Sequence, residues 1–414
     1  MRILYITHHF FPRGDASTSI IANIAKEFQR RGNQGQIIAI TDRIEENQCK
    51  MWDNILVDNL YCPGIANKSD LISEWRTKPT WIAHAILQKN RKRIKEVFKR
   101  NEFIPLSMNA LLVDIYRKGI RRHINIQDYD LCIITLAPRE AVKAALEIQL
   151  PQKIPTVIYQ LDAYWADKYL PDCYIEDRKK FERLMASQCL FVLTTRQIAK
   201  LNSEHSQALA KKWISLEFPL VTDLHTEKTK ENDFIHCVFL GTLYKDLRPP
   251  EKVIRIISAL QYSNLHFDFY GSGQELISCM PEYKENKEVI HLLGSISSEK
   301  VHYVRQQADI LVNIDNTNPI WIPSKIFEYI STGKPIVNFY YNEESEVIKY
   351  LSNYKLHINI YLNGDIYKET KKLAEFLNSM KGKSIPYSEI KELYIENTPE
   401  YVVDKILEHV NMSL

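Results

Sequence analysis

The sequence predicts an α/β protein made of two Rossmann-like domains, each a parallel sheet covered by helices. Three observations predict it. Short β-branched apolar runs recur along the chain, segments of helical period separate most of them, and the series occurs twice with a polar break between. A strand buried on both faces reads as a continuous apolar run, which is what a parallel sheet between helices requires.

The chain has 414 residues, and a single core rarely grows beyond about 250–300, so two domains are expected. The runs Ile3–Ile6, Gly35–Ile40, Leu131–Thr135, Thr156–Tyr159 and Leu190–Thr194 supply strands for a first domain, 1–221. The runs Cys237–Leu240, Leu265–Tyr270, Val289–Leu293, Ile310–Ile314 and Pro335–Phe339 supply a second, 222–395. Ser19–Arg31 and Glu251–Leu260 carry helical period. The polar stretch Thr222–Asp233 is the linker candidate. A last helix near Glu400–Val410, within 396–414, is expected to return toward the first domain. From about 67 to 125 the strand pattern vanishes, which suggests a helical insertion in the first domain. Ligands of such sheets bind beyond the carboxyl ends of the strands, so two facing domains would enclose a cleft.

Composition excludes several classes. Apolar content of 45% and charged content of 25% are ordinary for a globular protein, and a net charge of +3 implies no partner by itself. No run approaches the ~20 apolar residues of a membrane helix. Met1–His9 reads as a first strand, not a leader, so a cytoplasmic location is expected. Seven cysteines without Cys-x-x-Cys spacing indicate neither a disulfide framework nor a zinc site. Cys132, Cys189 and Cys237 lie inside apolar runs and read as core thiols. The insertion is basic, with Lys89–Arg100 and Arg117, Lys118, Arg121 and Arg122. That charge is either a solvated face or, through 89–122, a peripheral contact with an anionic membrane at its inner face, where each cation is worth ~1 kcal/mol. No recognised motif accompanies it, so nucleic acid is not an expected partner.

The segment Ile322–Val337 is the most informative. Ser324 follows Pro323 as an N-cap, Gly333 stands as the residue after the helix, and Pro335 opens the next strand. The amides of Ser324 and Lys325 would then face an anion such as a diphosphate, and Glu328 lies one turn further in. On helix grammar alone, a capped structural helix explains the same letters. Phe239–Pro250 reads as strand, Gly241-Thr242, basic loop with Lys245 and Arg248, then helix, the layout of a phosphate loop. Gly271 and Gly273 follow one strand and Gly294, before Ile296, follows the next; a lone Gly-x-Gly is weak evidence. The first strand leads into His8–Thr18 with Gly14 in its turn, and the paired His8 and His9 lack further clustered ligands for a metal. Asp162 follows the strand ending at Tyr159, where it either orients a hydroxyl or caps a helix.

Pro323-Ser324-Lys325-x-x-Glu328-Tyr329-x-x-x-Gly333-Lys334-Pro335 resembles the nucleotide-sugar signature of the GT-B retaining glycosyltransferases of family four. The resemblance is strong from about Val238 to Phe339 and loose before it. It implies the GT-B fold and transfer of a sugar, with retention, from a nucleoside-diphosphate sugar to an acceptor hydroxyl, without cofactor or metal. It implies that Glu328 binds the ribose and that Pro323, Ser324 and Lys325 hold the phosphates. Lys245 and Arg248 would neutralise the leaving diphosphate, and Asp162 would orient a reacting hydroxyl. Gly14, Gly241, Thr242, Gly271 and the main chain at Ile296 would line the donor. The implied acceptor is a glycan or lipid-linked glycan on the first domain, in surface polysaccharide synthesis. Ile320 stands where the commoner pattern has a second Glu, and Asn316 and Asn318 are the nearest groups for sugar hydroxyls. An inactive GT-B donor-binding or scaffold protein and a GT-B sugar-nucleotide epimerase are the alternatives.

Overall fold

A computed structural model describes residues 1–11, 16–41, 46, 48–62, 110–124, 128–148, 154–161, 175–203, 208–209, 211–224, 233–260, 264–319 and 321–413. The chain forms two compact units, Met1–Phe218 with Val402–Leu414, and Pro219–Tyr401.

The first unit carries β1 (Arg2–Ile6), β2 (Gln34–Thr41), β3 (Cys49–Trp52), β4 (Ile55–Tyr61), β5 (Leu131–Thr135), β6 (Thr156–Tyr159), β7 (Phe191–Thr194) and β8 (Trp213–Ser215). Their order is β3-β4-β2-β1-β5-β6-β7-β8. All pairs are parallel except β3 with β4. Ile3, Leu4, Tyr5 and Ile6 are all buried, and Leu4 and Ile6 share a core cluster with the helix residues Tyr116, Ile120 and Ala141. The helix Ala16–Arg30 buries Ile20, Ile21, Ile24 and Phe28, one face at helical spacing.

β3, β4 and β8 were not expected from the sequence. Asp58 and Asn59 interrupt the apolar run of β4, yet both are buried. Asp58 is tolerated there because His123 Nε2 lies 2.6 Å from its carboxylate. The β3–β4 turn places Asp53 and Asn54 at φ 50° and 62°, the left-handed pair of a two-residue hairpin.

The helix Ala110–Ile124 is the described part of the expected insertion, and the stretch Lys89–Arg100 lies outside the described residues. Arg117 pairs with Glu147 at 3.0 Å, Lys118 with Asp114 at 2.8 Å and Arg122 with Asp58 at 3.6 Å. Much of this helix's positive charge is therefore met within the protein. The last helix, Pro399–Ser413, belongs to the first unit from Val402 onward. There Asp404 pairs with Arg31, and the His409 ring meets Phe191 at 5.8 Å.

The second unit carries β9 (Ile235–Leu240), β10 (Leu265–Tyr270), β11 (Ile290–Gly294), β12 (Ile310–Ile314), β13 (Ile336–Tyr340) and β14 (His357–Tyr361). All pairs are parallel, in the order β11-β10-β9-β12-β13-β14. Counted along the unit this is 3-2-1-4-5-6, the doubly wound order, and it reverses between β9 and β12. β14 escapes a hydropathy reading because His357 and Asn359 break it. A ladder compensates: Asn313 Nδ2 donates to Asn338 Oδ1 at 2.7 Å, and Asn338 Nδ2 donates to Asn359 Oδ1 at 2.8 Å.

Phe267, Phe269, Ile254, Ile257, Leu373 and Leu377 pack in the core on one face of this sheet. Phe267 is wholly buried in it. Phe267→Ala is expected to cost ~3–5 kcal/mol, read as a lower urea midpoint for the second unit.

Candidate functional site

At the reversal of strand order, the loops after β9 and β12 leave the carboxyl edge side by side, where doubly wound sheets bind ligands. Thr317 N donates to Leu247 O at 2.8 Å, and Thr317 Oγ1 donates to Asp246 O at 3.0 Å, tying the two loops together. Tyr244 and Arg248 close a turn by reciprocal backbone hydrogen bonds of 3.3 and 3.1 Å. That turn leaves Lys245 exposed and folds Arg248 inward to a half-buried position. The two cations expected to act together therefore sit in different environments.

Arg248 Nη1 donates to Thr242 O at 3.2 Å and Nη2 donates to Asn316 Oδ1 at 2.9 Å. Its Nε is buried with no partner among the described residues. Burial pulls the Arg248 pKa down, and the charge of Asp315 opposes this. Asn316 is buried, and its Nδ2 donates to Trp321 O at 2.5 Å. Each end of its buried amide thus has one partner inside the protein. Asn316 is a strut for Arg248.

The glycine loops are stitched to the same edge. Gly241 N donates to Tyr270 O at 3.0 Å, Leu243 N to Ser272 O at 3.0 Å, and Gly271 N to Gly294 O at 2.8 Å. Gln274 clamps them, donating to Phe269 O at 2.7 Å and accepting from Gly294 N at 3.1 Å. Gly271 has φ +124°, and a Cβ on it would fall 1.8 Å from Gly241 O. Gly273 has φ +83°, and its Cβ would fall 2.2 Å from Leu243 O. Close backbone approach, together with positive φ, demands glycine here. Gly241, Thr242 and Gly271 are brought together, and Ile296 stands half-buried two residues past Gly294.

The helix after β12 spans Lys325–Ser331. Ser324 does not cap it as expected. It has φ −56° and ψ −24°, already helical, and its side chain makes no cap hydrogen bond. The chain enters through a tighter turn, in which Ile326 N donates to Pro323 O at 3.0 Å and Phe327 N to Ser324 O at 3.2 Å. The amides of Ser324 and Lys325 have no partner among the described residues. Ile326, Phe327, Tyr329 and Ile330 are buried, and Tyr329 Oη accepts from Leu240 N at 3.1 Å, latching the helix to the end of β9. Gly333 follows at φ +74°. On the half-buried side, Glu328 Oε2 accepts from Arg305 Nη1 at 2.8 Å, and Lys325 Nζ lies 3.3 Å away.

Asp315 and Arg305 were not singled out in the sequence. Asp315 stands just past the apolar run of β12, at a strand's carboxyl end, and that position was a readable signal. Arg305 is one cation on an ordinary helix and gave none. Asp315 is buried and accepts from Asn316 N at 2.8 Å and from Ser345 Oγ. Burial raises its pKa to about 6, against the opposing pull of those two donors and Arg248. Gly14, Asp162 and Ile320 lie outside the described residues.

No protein-family model and no curated protein matches the sequence. Solved structures do match in shape. Sucrose-phosphate synthase from Thermosynechococcus elongatus aligns with a TM-score of 0.63 at 10% identity, over 99% of this chain and 98% of that one. A glycosyltransferase from Rickettsia africae aligns at 0.61 and 12% identity, over 100% and 98%. HepE of Anabaena, solved in complex with UDP, aligns at 0.57 and 13% identity, over 100% and 97%. The chain has the GT-B fold, and the neighbours that establish it are glycosyltransferases.

Gly271→Ala forces a Cβ onto a carbonyl oxygen, so it should cost more than the ~1–3 kcal/mol of backbone strain alone and lower the thermal midpoint. Asp315 gives a pH signature. Its folded pKa of about 6 exceeds an unfolded value of ~3.9, so the native state holds the extra proton between them. Its contribution therefore falls as pH rises from about 4 to about 6, then levels off. Urea unfolding of Asp315→Asn from pH 4 to 7 should lack that decline, and a slope equal to wild type would contradict the assignment.

Proposed function

We propose that this chain is a metal-independent glycosyltransferase that moves a sugar, with retention, from a nucleoside-diphosphate sugar to an acceptor hydroxyl. One observation carries the reading. At the switch point of the second unit's sheet, a half-buried arginine with unspent donor capacity, two amides without partners among the described residues, and a carboxylate lie along one sheet edge. Arg248 is the principal stabiliser of the departing diphosphate, and exposed Lys245 supplies long-range attraction. Ser324 and Lys325 offer amides to the phosphates, Glu328 accepts from the ribose, and the glycine edge with Pro323 and Ile296 walls the donor. HepE was solved with UDP, with UDP-glucose, and with UDP and glucose, which supports a nucleotide-sugar donor here.

The acceptor is a glycan or lipid-linked glycan bound by the first unit, with Asp162 orienting its hydroxyl, in cytoplasmic synthesis of surface polysaccharide. WaaG, a neighbour described as a glycosyltransferase of lipopolysaccharide biosynthesis, aligns at a TM-score of 0.55 and 12% identity and supports that setting. The acceptor proton passes to the leaving phosphate oxygen, so no strong protein base is needed. Membrane contact, where it occurs, uses residues within 89–122.

A thermal-shift screen with UDP, GDP, ADP and TDP tests the donor. A diphosphate at 100 times its Kd should stabilise the fold by ~2.7 kcal/mol. Glu328→Ala should weaken the best of them by about tenfold or more, because a hydrogen bond to a charged group is lost. Failure of all four to shift the transition, or an unchanged affinity in Glu328→Ala, would sink this reading. Binding without transfer or donor hydrolysis would point to a donor-binding scaffold, and isomerised donor would point to an epimerase.

A further inference from the structure

Arg305 lies on the helix Ser298–Gln307, in a part of the chain that the reading above does not use. Its guanidinium is nonetheless buried against Glu328: Arg305 is 5% exposed and Glu328 26%. Nη1 donates to Glu328 Oε2 at 2.8 Å, and Nη2 lies 3.2 Å from His302 Nδ1, one turn back on the same helix. Burial, and then the Arg305 charge, pull the His302 pKa down, so a neutral ring accepts from Nη2. The planar guanidinium is thus held at two edges, and a buried cation does not readily leave the one carboxylate it meets among the described residues.

The carboxylate is restrained in turn. Oε2 takes Arg305, and Lys325 Nζ stands 3.3 Å from Oε2 and 3.4 Å from Oε1. Oε1, with that long contact alone among the described residues, keeps acceptor capacity for a ligand hydroxyl. The flanking charges matter as much as the geometry. A bare carboxylate one turn from a diphosphate would repel it, and two adjacent cations cancel that field.

We propose that Arg305 is a positioning residue for nucleotide recognition, which aims Glu328 at the ribose diol and neutralises it toward the diphosphate. This rests on the donor reading above. Ribose selectivity then depends on a residue that does not itself touch the nucleotide.

Calorimetry on the full chain tests it, using the tightest of UDP, GDP and ADP against its 2′,3′-dideoxy counterpart. Wild type should prefer the ribonucleotide by ~10–100-fold, the value of hydrogen bonds to a charged acceptor. Arg305→Gln should bring the preference to within about twofold while the protein still binds the dideoxy form. Arg305→Lys restores charge without the fork, so it should recover dideoxy affinity but at most part of the preference. It also serves as the test should Arg305→Gln not fold. A full wild-type preference in either variant overturns the positioning role and leaves the nucleotide reading standing. Wild type that binds none of the three overturns both.

Discussion

The hydrogen bond from Arg248 Nη2 to Asn316 Oδ1 joins the two loops that leave the sheet where its strand order reverses. A guanidinium drawn into a protein interior must find acceptors, because its desolvation is otherwise uncompensated. The nearby groups answer that need in sequence. Thr242 O and Asn316 Oδ1 accept from Arg248, Asn316 spends its other end on Trp321 O, and Asp315 accepts from the Asn316 amide. Ser345, which caps the helix Glu346–Leu351, closes the chain on Asp315. The loop between β12 and the helix Lys325–Ser331 is therefore shaped around one cation. Beyond that loop, the amides of Ser324 and Lys325 have no partner among the described residues.

The neighbouring loops obey a steric rule instead. Gly241 and Leu243 present carbonyl oxygens where a side chain on Gly271 or Gly273 would have to stand. Removing two Cβ atoms lets three loops pass main chain to main chain, so the edge offers backbone groups with little side-chain cover. A surface of that kind suits the close approach of a flat base or a phosphate. Tyr329, reaching from the helix to Leu240 N, couples the steric and electrostatic halves through one hydroxyl.

The apolar strands β1, β5, β6, β7 and β12 were legible because residues on both their faces are buried, and burial on two faces leaves a run of letters that needs no partner to be recognised. Two of the strands that escaped, β4 and β14, have polar residues that are satisfied from elsewhere in the chain. Asp58 in β4 is met by His123, sixty-five positions away. Asn359 in β14 is met by Asn338. Local hydropathy does not encode such compensation. The same limit applies to the site. Glycines, Arg248 and Glu328 stood in recognisable spacing, whereas Arg305 acquires its meaning from a contact twenty-three positions away. Ser324 had the letter of a cap and the backbone of a helix interior, because the turn begun by Pro323 had already set its dihedrals. Asn316 had the letter of a sugar ligand, and its bonds to Arg248 and Trp321 within the interior could not be read from that letter.

Burial is what separates the cations that the sequence presents as equals. Lys245 and Arg248 are three positions apart, yet one is exposed and the other is drawn inside. Two unit charges ~4 Å apart interact by about 1 kcal/mol in water and about 4 kcal/mol at the effective dielectric of a protein surface. Salt screens the first far more than the second. On the proposed reading an anion at this sheet edge would be held chiefly by Arg248, while Glu328 is paired with buried Arg305 and flanking Lys325. Exposed Lys245 would on that reading act earlier, at the range where approach is steered and final contacts are not yet made. Charge alone would rank the four cations together; their burial separates the exposed Lys245 from the half-buried Arg248 and from the buried Arg305 that holds a neighbouring carboxylate.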